Sequence, residues 1–364
     1  MPPMSRLPTL HAGRGPRWWR GIALAGLCWV ASAICGLGQT KYVPGQSYFG
    51  RSNYIEYVAG DLPLILSAPH GGELTPSEIP DRTCTDGNGD FATVTDANTT
   101  ELAWAVHAVF REQCGHAPHV VICHLKRSKV DCNREQAEGA GGNVYARQAW
   151  KEFQDYLNTA TKAVMTSAGR GFYIDLHGQS NPIKRLELGY LLTAEQLTNS
   201  DAILSDPKYA ALSSLRALAS RAQIPFSQLL RGSNSLGGLM AARGYPAVPS
   251  PLMPSPGNGA KPIVYPGDKN PYYHGGYNLR MHTAGGNSDS SGIAGLQLEA
   301  NLAGVRDTAA NRTQFGIALM QSLDVFFKNH YGIDLGAKAV HSPRPSQGQS
   351  AAAVPRDGEV RLQR

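Results

Sequence analysis

The sequence predicts an α/β fold: a mixed, largely parallel sheet sandwiched by helices. Two observations lead to the sheet and a third to its use. Short apolar runs recur at 64–68, 119–125, 171–176, 186–192 and 293–299. Amphipathic stretches alternate with them at 99–114, 144–168, 208–222 and 306–329. Strands that apolar, alternating with helices, belong to a sheet covered on both faces. The runs also end in chemistry. The first is followed by Pro69-His70-Gly71-Gly72-Glu73, the third by His177-Gly178, and the last by Glu299-Ala300-Asn301.

Taken in chain order, residues 1–40 stand apart. Arg6, Arg14, Arg17 and Arg20 precede an apolar, small-residue run from Gly21 to Leu37, with Ala31-Ser32-Ala33 as a cleavage site. This is the pattern of a secretory signal peptide. A single-pass anchor is the competing reading, since a run of about 17 residues is near the lower limit for a span. Residues 41–336 then form a single catalytic-size domain. Asn98, with Glu101 three residues on, predicts the N-terminal cap of the 99–114 helix. In 306–329, Phe315, Leu319, Met320, Leu323, Phe326 and Phe327 recur at helical spacing. Residues 244–291 break the alternation with a long Pro-, Gly- and Tyr-rich insertion. It carries Tyr245, Tyr265, Tyr272, Tyr273, His274 and Tyr277, which suit the wall of a site. Residues 337–364 are too poor in large apolar side chains to fold and predict a disordered tail.

The net charge of +6 arises at the ends. They hold nine of the 34 basic residues and two of the 28 acidic ones, leaving 25 and 26 in the middle. A nearly neutral domain gives no electrostatic case for nucleic acid, or for stable membrane association once the leader is removed. Cys84, Cys114, Cys123 and Cys132 are even in number, which in an oxidising compartment predicts two disulfides of undetermined pairing, with buried thiols as the alternative.

The candidate site assembles at the ends of the runs. Hydrolytic zinc takes three ligands from His, Glu and Asp and leaves a position for water. His70, Glu73 and His177 supply such a set, one zinc per chain, with Glu78, Asp81 or Asp96 as replacements for Glu73. Glu299 ends an apolar run, where a carboxylate is either paired, as with Arg306, or used as a general base. After 119–125, Lys126, Arg127, Lys129 and Arg134 crowd one loop. Guanidinium forks suit carboxylates and developing oxyanions.

The ordered set resembles the N-formylglutamate amidohydrolase family, within the zinc carboxypeptidase-like clan. It comprises Pro69-His70-Gly71, the Asp131-x-Asn133-Arg134 motif, Asp175-Leu176-His177 and a strand ending in Glu299. The resemblance implies zinc on His70, Glu73 and His177, Glu299 as base and Arg127 polarising the scissile carbonyl. It also implies Asn133 and Arg134 on a substrate carboxylate and Tyr277 over the substrate. The expected activity is a secreted amidohydrolase cleaving an amide beside a carboxylate, in an N-acyl amino acid or related small molecule or peptide. The alternatives are a carboxypeptidase, a peptidoglycan or γ-glutamyl amidase, and an inactive binding module on the same fold. Export and the 244–291 insertion argue against formylglutamate itself as substrate.

Overall fold

The computed structural model describes residues 42–83, 92–257 and 272–336; the expected leader and tail, and Cys84, lie outside them. The strands are β1 Ser47–Phe49, β2 Ile55–Val58, β3 Leu64–Ala68, β4 His119–Cys123, β5 Gly171–Gln179, β6 Leu186–Gly189, β7 Ala247–Val248 and β8 Ile293–Asn301. They form one sheet in the order β1-β2-β4-β3-β5-β8-β6-β7. The four central strands, β4, β3, β5 and β8, run parallel. β2 and β6 flank them antiparallel.

The helices are α1 Thr99–Cys114, α2 Gln136–Ala140, α3 Val144–Ala168, six short segments between β6 and β7, α10 Tyr277–His282 and α11 Ala309–Tyr331. The six are α4 Ala194–Leu197, α5 Asp201–Leu204, α6 Pro207–Leu212, α7 Arg216–Ala219, α8 Phe226–Arg231 and α9 Leu236–Ala241. No helix among the described residues is long and apolar enough to cross a membrane.

Alternation along the strands divides the core in two. Phe172, Ile174 and Leu176 of β5, with Leu296 and Leu298 of β8, pack into one layer with α1, α11 and the short helices. Tyr173 of β5 and Ile65 of β3 pack on the other side against Phe153, Leu157, Ala160 and Val164 of α3. Asp175 and His177 share the α3 face with Tyr173 by the same period of two. Gln297 and Glu299 share it on β8. The strand ends therefore carry a polar ladder on one face and an unbroken apolar row on the other.

Three elements depart from the sequence reading. The 208–222 helix is broken into α6 and α7. Ser213 is extended there, and the Ser213 and Ser214 hydroxyls donate to the carbonyls of Tyr190 (3.0 Å) and Gly295 (2.7 Å). Bonds to the sheet replace a helical turn. Asn98 stands at the N-cap of α1 with φ +64°, and its side chain donates to the Arg306 carbonyl (3.0 Å) rather than capping the helix. The 244–291 insertion contains β7 and α10; its residues 258–271, Tyr265 among them, lie outside the described residues.

Candidate active site

His70 follows β3, His177 lies within β5, and Asp96 precedes α1. All three are buried, and they converge as a group able to hold a metal ion. His70 Nδ1 is 3.2 Å from His177 Nδ1, and the two are 3.5 and 3.2 Å from Asp96 Oδ2. Ligands 2.0–2.1 Å from a tetrahedral centre lie about 3.3 Å apart, so a triangle with these edges could span a metal ion. Chain contacts fix Asp96 there. Its N–H donates to the His70 carbonyl (3.0 Å), and its Oδ2 accepts from Gly178 N (3.1 Å).

The outer nitrogens of both rings face carboxylates. His70 Nε2 is 2.6 Å from Asp131 Oδ1, and His177 Nε2 is 3.0 Å from Asp175 Oδ2. Burial disfavours ionised Asp131 and Asp175, yet the facing imidazoles, and Arg127 for Asp131, hold both carboxyls below their usual range. Ionised carboxylates only accept hydrogen bonds, so both Nε2 atoms carry a proton and the Nδ1 atoms are the ring positions that face inward, towards each other and Asp96. Asp96 is also ionised: burial opposes its charge, but His177 and His70 push its carboxyl far down. Two ring nitrogens and a carboxylate oxygen converging at 3.2–3.5 Å form a group that could hold a metal ion. With only protons to serve, burial would depress His177, but Asp175 and Asp96 lift it to about 10. Carboxylates behind imidazoles are also the usual second layer of a metal site.

Glu299 pairs in register with His177 on one side and with Glu187 of β6 on the other. Burial, reinforced by Asp96 and Glu187 and opposed by His177, raises Glu299 to about 7. Its one hydrogen-bond partner among the described residues is Gln297 Nε2 (2.9 Å). Arg306 does not pair with it. That guanidinium donates to the carbonyls of Ala300 (2.9 Å), Gln179 (3.0 Å) and Ala97, joining the segments that carry Glu299, His177 and Asp96. Gly178 is required beneath it, because a Cβ there would stand 2.3 Å from Arg306 Cζ.

The other expected residues divide. Arg127 is at the site: Nε donates to Asp131 Oδ2 (2.9 Å) and Nη1 lies 3.6 Å from Asp96 Oδ1. Asn133 is buried beside the site, its Nδ2 3.2 Å from His177 Nε2. Its Oδ1 accepts from Asn278 N of α10 (2.8 Å), and Nδ2 lies 3.3 Å from Gln297 Oε1. Arg134 is turned to Glu138 (2.9 Å), and Tyr277 leans on Trp150. Glu73 stands outside the converging group. Its side chain is 68% exposed and 3.7 Å from Lys126 Nζ. The chain beyond Gly72 bridges Leu74 to Leu125, which turns Glu73 outward. Glu78 and Asp81, its other replacements, bind Tyr54 and Ser128. The third inward donor is Asp96.

Glu187 was missed, and Tyr273 was named only among the insertion's tyrosines. Glu187 is fully buried and raised to about 7 by burial, against Arg185 and the Tyr273 N–H (3.1 Å). Its signal was a lone charge inside Leu186-Glu187-Leu188. Tyr273 faces the site: burial, then Glu299, Glu187 and Asp96, raise its phenol strongly. Elsewhere, Cys123 and Cys132 are buried neighbouring thiols that no disulfide joins.

No protein-family model and no curated protein matches the chain. Among solved structures it is similar to N-formylglutamate amidohydrolase from Ralstonia eutropha, at 12% identity and TM-score 0.43, over 76% of this chain and 96% of that one. A gene product of Agrobacterium tumefaciens overlaps at 13% and 0.37, over 74% and 94%. The N-acetylmuramyl-L-alanine amidase Ami1 of Mycobacterium abscessus overlaps at 12% and 0.29, over 72% and 98%. Overlaps this shallow carry no functional inference.

Proposed function

We propose that this chain is a zinc-dependent amidohydrolase, with His70, Asp96 and His177 holding the metal. The observation that supports it is the triangle of inward Nδ1 and Oδ2 atoms with edges of 3.2, 3.2 and 3.5 Å. A divalent metal bound there would supply Lewis acidity, acidifying water and polarising a carbonyl. The chain supplies the rest. Glu299, near neutrality and without an ion pair, takes a proton from water and returns it to the leaving amine. Arg127, anchored on Asp131, presents its cation to the developing oxyanion. Asp131 and Asp175 keep both imidazoles in the tautomer that turns Nδ1 inward.

The substrate in this reading carries a carboxylate beside the scissile amide, as an N-acyl amino acid does. Arg134 reaches it by leaving Glu138. Both side chains of that pair are partly exposed, at 28% and 37%, and an i,i+4 pair of this kind is worth only about 0.3–0.5 kcal/mol. A charge-assisted bond to substrate outweighs it.

Metal analysis tests the centre. Purified chain is expected to bind about one zinc, and Asp96→Asn to weaken binding by a factor of about 100 or more. Glu73→Gln is expected to bind as the parent does. Full zinc in Asp96→Asn, or its loss in Glu73→Gln, would return the third ligand to Glu73. A zinc-loaded chain inert on a broad amide panel would favour the binding-module reading.

A further inference from the structure

A cleft lies at the far end of the sheet from the metal-binding group. It has a volume of about 610 Å³, and its walls are built from Pro207, Ala210, Ala217, Ile224 and Phe226, with Arg216 at one side. Ala284 and Ser291, just before β8, close one edge. Glu299 lies at the other end of that strand, six residues beyond Ile293, or roughly 20 Å along it. The volume falls within the usual range for small-molecule sites, about 300–1,000 Å³.

Arg216 makes this more than an apolar hollow. Its Nε is buried without an acceptor, and no hydrogen bond or ion pair engages its head among the described residues. Most other buried or half-buried guanidiniums here are bonded: Arg306 to three carbonyls, Arg231 to Asp201 and three carbonyls, Arg127 to Asp131. The Arg216 head lies flat on Gly285, where a Cβ would stand 2.2 Å from Cζ, so the backbone there is shaped to receive it. A half-buried cation with one donor shut off from water, and no ion pair among the described residues, suits an anion. The apolar walls beside it favour a hydrocarbon.

We propose that this cleft binds a small amphipathic carboxylate, its head on Arg216 and its tail along Ala210, Ala217, Ile224 and Phe226. The site is separate from the hydrolytic centre and does not depend on the function proposed for it.

Octanoate and octanamide, titrated by calorimetry into the full chain, test this. Octanoate is expected to bind saturably at or below about 1 mM, and octanamide at least about tenfold more weakly. Arg216→Gln is expected to bring the two to the same weak level. Ala217→Phe, which fills the cleft and leaves Arg216 in place, is expected to abolish octanoate binding. Both variants are to melt within a few degrees of the parent, and the second keeps the test decisive if the first fails to fold. Equal affinities for acid and amide, octanoate binding that survives both variants, or no saturable binding to 1 mM would overturn the proposal. So would a dimer that forms through the cleft and that Ala217→Phe alone dissolves, which would give the cleft to a second copy of the chain.

Discussion

Glu299 differs from the other carboxylates around it in having no cationic partner. Asp131 and Asp175 each hold an imidazole, Asp96 faces two, and Glu299 receives only the Gln297 amide. Glu299→Gln keeps the shape and that neighbour but cannot take a proton near neutrality. Turnover is expected to fall by two to four orders of magnitude while zinc content stays constant. Near-normal turnover would remove Glu299 from the proton path. Arg134 gives the second expectation at this scale. Amidating the substrate carboxylate is expected to lower kcat/KM by about 2–4 kcal/mol, and Glu138→Gln to leave the acid substrate at least as well bound. Equal rates on acid and amide would move the substrate to neutral amides. His70, His177 and Glu299 were legible because each ends an apolar run, where a polar residue is conspicuous. Asp96 was not. Nothing in Thr95-Asp96-Ala97 distinguishes it from a loop acid, and it reaches the rings only through long-range bonds to His70 and Gly178.

Elements deliver these groups by register. His177, Glu299 and Glu187 form one row across β5, β8 and β6, so strand pairing itself sets their spacing. Arg306 fixes the ends of that row by binding the carbonyls of Ala300, Gln179 and Ala97. Lysine has one point-like head for three divergent acceptors. Arg306→Lys is therefore expected to destabilise the fold by on the order of 3 kcal/mol and to weaken zinc binding with it. Unchanged unfolding and metal content would reduce Arg306 to filler. The long helices were readable to the residue at 99–114 and 144–168, because an amphipathic period persists over many turns. The 208–222 helix was misread because Ser213 and Ser214 bond to strands that local periodicity cannot see. β2 was missed for a related reason: Ile55-Glu56-Tyr57-Val58 is short and carries a charge, which His124 satisfies from outside the strand (2.9 Å).

At the scale of the whole molecule, two histidines outside the metal-binding group tie stability to pH. Burial pushes His119 and His282 down to about 4. His119 Nδ1 lies 2.8 Å from Tyr57 Oη and accepts from Gly60 N (3.1 Å), which a protonated ring cannot do. Unfolded, both rings would titrate near the ordinary value of 6.5. Between about 6.5 and 4 the unfolded chain binds more protons than the folded one. The stabilisation is thus complete above pH 6.5 and is lost as pH falls towards 4, by up to roughly 3 kcal/mol per ring. Urea unfolding across this range is expected to show that slope, with His119→Asn flattening it by about one proton; an unchanged slope would exclude His119. The strand order sets a further condition, one of time. Among the described strands β8 leaves the ribosome last, yet it lies between β5 and β6 and joins β6 and β7 to the rest of the sheet. Until about residue 301 has emerged, β6 and β7 have no sheet to enter, and His177 has no Glu299 beside it. Assembly thus waits on its last strand and on pairings more than 100 residues apart in sequence, a topology that folds slowly. A nascent chain of this protein holds an unfinished sheet until β8 has been made.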